Sequence, residues 1–145
     1  MSIRLLLLSC MIFNSMPWLA SAAVSHSLSY QGVLGKWQSE FAHISIKKNA
    51  DTLSATIIHV PSSHKKAALT HCTRGNCAGK ALINLDVFRN FTWNASKERW
   101  EGEMLAAGWN GKWYKTHMWI SEPNVLMTRS YIGLLFSTSS WIKIQ

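Results

Sequence analysis

Arg99-Trp100-Glu101-Gly102-Glu103-Met104 is followed, across a Gly108–Gly111 turn, by Lys112-Trp113-Tyr114-Lys115-Thr116-His117-Met118-Trp119-Ile120. The pair reads as two β-strands, and the chain continues in the same manner outward from it. Ser121-Glu122-Pro123-Asn124 makes a turn, Val125–Ile132 a strand, Gly133–Phe136 a loop and Thr138–Ile144 a final strand. Strands this closely spaced pair with their sequence neighbours as antiparallel hairpins.

Side chains alternate across a strand, so each strand offers two faces. Tyr114, Thr116, Met118 and Ile120 form the more buriable set on one strand, and Trp100, Gly102 and Met104 on the other. Both sets face inward only if opposed residues share parity, which requires an odd-length connection. Three to five residues are expected, despite the two-residue hairpin signal of Asn110-Gly111.

Upstream, Gly35-Lys36-Trp37 opens a strand near 35–40, and further strands fall near 42–48, 52–60 and 83–93. Asn49-Ala50-Asp51 turns the chain, and Pro61 ends a strand because it cannot donate to a ladder. Pro61–Lys80 is one long connection, read as decoration or as a lid. The expectation is an all-β, eight-stranded antiparallel up-and-down barrel, in which the last strand pairs with the first and Trp141 contacts Trp37. A two-sheet sandwich is the alternative.

Residues 1–22 read as a signal peptide: Arg4, the apolar Leu5–Leu8 and Met11–Phe13, then Ala20-Ser21-Ala22 as a cleavage site. Cys10 offers a lipoprotein alternative. Residues 23–34 read as a flexible tail and 35–145 as a single barrel domain, exported to a bacterial periplasm or secreted, with no transmembrane segment after cleavage. Formal net charge is +8, of which Arg4 supplies one unit. A basic exported protein meets anionic envelope components rather than nucleic acid. Cys72 and Cys77 are expected to form a disulfide across the long connection. A zinc site with His71 and His64 is the weaker reading, since no second ligand pair exists. No metal, cofactor or catalytic motif is assigned.

Two surfaces compete for function. Trp37, Trp100, Tyr114, Met118 and Trp141 are inward positions that line a pocket for a small apolar, lipid-like ligand or fill the barrel. Trp113, Lys115, His117, Trp119 and Arg129 form an outer basic-aromatic face suited to an anionic envelope component.

Arg99–Met104, Asn110–Tyr114, Glu122–Leu126, Tyr131–Gly133 and Trp141–Ile144 resemble the exported bacterial family called domain of unknown function 2147. That resemblance implies a compact lipocalin-like (calycin) barrel and no established activity. Gly35-Lys36-Trp37 is similar to the Gly-x-Trp that opens lipocalin barrels. Where the family has Gly-Arg before its last strand, this chain has Phe136-Ser137, so a cation over Trp37 would come from Arg129 or Lys143.

Overall fold

The structure is a computed structural model that describes residues 30–62 and 68–145. The leader, the cleavage site, Cys10 and His64 lie outside the described residues. Eight strands follow in order: β1 Gly35–Gln38, β2 His43–Asn49, β3 Thr52–His59, β4 Asp86–Asn94, β5 Arg99–Leu105, β6 Trp113–Glu122, β7 Val125–Ile132 and β8 Leu135–Ile144. Each pairs antiparallel with its sequence neighbours, and β8 pairs with β1 through Lys36–Ile144 and Gln38–Ile142. The barrel is closed, which leaves no unpaired edge and excludes the sandwich.

The β5–β6 register places Trp100 opposite Met118, Gly102 opposite Thr116 and Met104 opposite Tyr114. Opposed residues share parity, as expected from face burial. The connection is odd but longer than three to five residues, because residues 106–112 separate the strands. Alternation breaks on β4. Asn90 takes a positive φ of 56°, and the register shifts between Arg89 and Thr92. This bulge turns both Phe88 and Phe91 inward. Gly102 then leaves room for Phe91, whose ring would lie 2.6 Å from a Cβ at that position.

Three expectations are corrected. Residues 30–33 are helical rather than loose tail, and Tyr30 and Val33 are buried in the core. A single amphipathic turn has no repeat from which to read a period. The last strand starts at Leu135, because only Gly133 and Leu134 separate it from β7, with Gly133 at φ 63° making the tight reversal. Trp141 meets Phe88 edge-on at 5.9 Å rather than Trp37, because it is Lys143 that stands opposite Trp37 across the closing seam. The Lys143 ammonium lies 5.3 Å from the Trp37 ring, and Arg129 serves outer aromatics instead.

Candidate functional site

Because the strands alternate in direction, the connections segregate to two ends. Short turns after β2, β4 and β6 share one end, the base, with the helical turn at 30–33. Residues 39–42, 60–62, 68–85, 106–112 and 133–134 share the other end, the mouth.

The base is filled. Tyr30 packs edge-on against Trp100 at 4.6 Å, and Trp100 packs on Trp93 at 5.4 Å. The Tyr30 hydroxyl donates to the Asp51 carbonyl, and the Trp37 indole N–H donates to the Val33 carbonyl at 2.9 Å. Tyr30 and Trp37 thus bury their rings while their polar atoms are hydrogen-bonded to the backbone. Met118 is fully buried here as well.

The mouth is hollow. A cavity of about 400 Å³ lies between Ile44, Ile57, Phe88, Leu105 and Trp141, with Phe41, Leu69, Leu82 and residues 106–109 around its opening. That volume falls within the range of small-ligand sites, about 300–1,000 Å³. Ser137 and Ser139 supply hydroxyls on one wall. Nearby interior polar groups are already paired: Thr116 with Ser130 at 2.7 Å, and the Trp141 N–H with the Thr128 hydroxyl at 3.0 Å. The arrangement accepts an apolar body and offers Ser137 and Ser139 to one polar group.

The long connection helps to build this mouth. Cys72 and Cys77 form a disulfide across a 3-10 turn at Gly75–Cys77, and both are buried. Their sulfurs are joined to one another, which removes them as zinc ligands. Gly75 and Gly111, both at φ 66°, bring the disulfide loop against the 106–112 loop, where the Asn76 N–H donates to the Gly111 carbonyl at 2.7 Å. Leu69 and Leu82 from the same connection border the cavity. Its position at the opening favours the lid reading over decoration.

Of the five inward residues singled out from sequence, Trp141 lines the cavity, whereas Trp37, Trp100 and Met118 occupy the base. Tyr114 stands at the mouth, stacked on Trp109 at 6.1 Å and accepting from Asn110. Sequence reading missed Ser137 and Ser139, which carry no apolar signal, and the small residues Ala106 and Ala107.

The outer face is knitted together. Arg89 lies 4.0 Å over Trp113 and pairs with Glu103 at 2.8 Å, while Lys115 opposite Glu103 is exposed. Arg129 lies over Trp119 at 5.6 Å and over Phe136 at 4.6 Å. His117 is buried between Tyr131 and Arg99. Arg99 can only donate to Nε2, so Nδ1 carries the proton and faces the Tyr131 hydroxyl at 2.9 Å. Burial lowers the His117 pKa, and the Arg99 cation lowers it further against the opposing effect of Glu101. Glu101 is held below the usual carboxylate range chiefly by its hydrogen bond from Arg99. A shallow depression of about 420 Å³ lies here, bordered by Lys97, Arg99, Trp119 and Arg129.

Among the described residues no helix is long and apolar enough to cross a membrane. No curated protein matches the chain. Among solved structures, the chain is similar to one described as "Protein HP1028 from the human pathogen Helicobacter pylori belongs to the lipocalin family". The TM-score is 0.62 at 14% identity, over 77% of this chain and 82% of that one, a likeness of fold. The family model described as "Uncharacterized protein conserved in bacteria (DUF2147)" matches residues 35–143, which span β1 to the end of β8 but for its last residue. The closed barrel and the matched span lead to one conclusion: this chain belongs to the DUF2147 family.

Proposed function

We propose that this protein is an exported, periplasmic or secreted binding barrel that takes a small apolar, lipid-like molecule into its mouth, and that it catalyses no reaction. The single observation that supports this most is the apolar cavity of about 400 Å³, open at one end and carrying Ser137 and Ser139 on its wall. A fatty-acyl chain with a polar head group has the matching chemistry. Export is supported by the leader-like residues 1–22 and by a disulfide, which persists in oxidising compartments. Cell fractionation checks it; the protein recovered in the cytoplasm with its first 22 residues intact would contradict it.

A second reading rests on the outer depression, where Lys97, Arg99 and Arg129 would receive an anionic group of an envelope component. One titration separates the two. A fluorescent fatty acid should bind saturably, and Ser139→Phe, which fills the cavity, should weaken it about tenfold or more, whereas Arg129→Ala should not. Loss of binding in Arg129→Ala with retention in Ser139→Phe would favour the outer face.

A further inference from the structure

The mouth carries an anomaly that the cavity alone does not explain. Phe41, Leu69, Trp109 and Leu134 come from four separate connections and Leu135 opens β8, yet all stand at this end and are exposed, from 55% for Leu69 to 103% for Leu134. Leu134 occupies the second position of a two-residue hairpin turn whose left-handed position is taken by Gly133 at φ 63°, so nothing in the turn calls for a large apolar residue there. The two-residue turns at the base, Ala50-Asp51 and Pro123-Asn124, carry no large apolar side chain. Exposed large apolar residues gathered at one end of a soluble domain mark a contact surface.

Charge identifies the occupant. Arg74, Lys80 and Lys112 are exposed on the same connections, against Glu40 and Asp86. We propose that the mouth docks on an anionic phospholipid bilayer, with the apolar ring entering the head-group region and the three cations meeting lipid phosphates. Trp109 is suited to that depth, since an amphipathic indole prefers the membrane interface. A second copy of the chain fits less well: a two-fold contact through this end would bring two sets of Arg74, Lys80 and Lys112 into one interface. Docking would place the cavity opening at the bilayer surface, so an acyl chain could pass between membrane and barrel without crossing water. That last step rests on the binding reading above; the docking itself does not.

Sedimentation of the natively processed protein with vesicles of phosphatidylglycerol and phosphatidylethanolamine, or of phosphatidylcholine alone, tests the proposal. Binding should favour the anionic vesicles and weaken as salt rises. The Leu134→Ser/Leu135→Ser variant should bind about tenfold less or weaker still. The Lys80→Glu/Lys112→Glu variant should lose about fivefold or more, because each cation near an anionic surface contributes appreciably. Both variants change exposed residues only, and an unchanged melting temperature confirms that they fold. No sedimentation, equal binding to both vesicle types, or binding unaffected by either variant would overturn docking. Concentration-dependent dimerisation abolished by Leu134→Ser/Leu135→Ser, without vesicle binding, would overturn it in favour of self-association. Fatty-acid binding measured on the same samples keeps the two readings apart. Uptake without vesicle binding sinks docking alone, whereas vesicle binding without uptake sinks the cavity reading alone.

Discussion

The two ends of this barrel are built from the same eight strands and differ in nearly every physical respect. At the base, turns of two to four residues draw the strands together, and Tyr30, Trp37, Trp100 and Met118 fill the space between them. At the mouth, two longer connections hold the rim open, and the inward positions include Ser137 and Ser139 instead of large rings. Stability is thus concentrated at the base and recognition at the mouth. The same division appears in polar chemistry: Tyr30 and Trp37 at the base donate to backbone carbonyls, while two hydroxyls at the mouth border open space.

If that division is real, truncating a base tryptophan should be far more damaging than truncating a mouth one. Trp100→Ala removes a buried ring that contacts both Tyr30 and Trp93, and should cost about 3–5 kcal/mol in chemical denaturation. Trp109→Ala, at an exposed rim position, should cost about 0.5 kcal/mol or less. Equal costs at the two sites would erase the distinction.

The disulfide sharpens the comparison, because it ties down only the mouth. Cys72→Ser/Cys77→Ser should lose about 2 kcal/mol or less and keep the far-UV spectrum, since the strand ladder does not include this loop. Amide exchange should rise at residues 69–82 and 106–112, which the Asn76–Gly111 hydrogen bond couples, and stay unchanged around Tyr30. Global unfolding on reduction would show that the mouth is no separate unit.

A smaller effect concerns pH on the outer wall. The His117 pKa is lowered in the folded state, so the unfolded chain binds more protons as pH falls through its ordinary value of about 6.5. Stability should therefore drop on acidification below that value. Glu101, whose pKa is also lowered, should add to the loss in the carboxylate range. His117→Gln, measured by denaturation between about pH 7 and 5, should flatten the first part of the slope. An unchanged slope would mean that His117 takes up its proton as readily in the folded barrel as in the unfolded chain.

Much of the barrel was legible because burial enforces a period of two. Trp100, Gly102, Thr116 and Met118 had to share a face, and that requirement alone outweighed the Asn110-Gly111 hairpin signal. What stayed hidden has physical reasons as well. Inward parity is continuous along a strand, so it cannot tell a filled end from a hollow one; Trp37 and Trp141 have the same parity and opposite fates. The Tyr30–Val33 plug is too short to show a period, and the bulge at Asn90 breaks the one on β4. Gly133–Phe136 reads as a loop, yet Leu135 and Phe136 already belong to β8; both are exposed, so no alternation of burial marks where the strand begins. Ser137, Ser139 and the exposed start of β8 were missed at the mouth, where a surface shaped for contact departs from the rules that shape a core.

The most direct test of a filled base and a receptive mouth uses the tryptophan indole N–H signals, resolved by nitrogen-15 NMR during titration with a medium-chain fatty acid. Trp141, on the cavity wall, and Trp109, at its rim, should shift saturably and with one common midpoint. Trp37, whose N–H is held by the Val33 carbonyl, and Trp100, packed under Tyr30, should stay in place. Saturable shifts at Trp37 and Trp100 with Trp141 unmoved would place the ligand at the base and contradict the account.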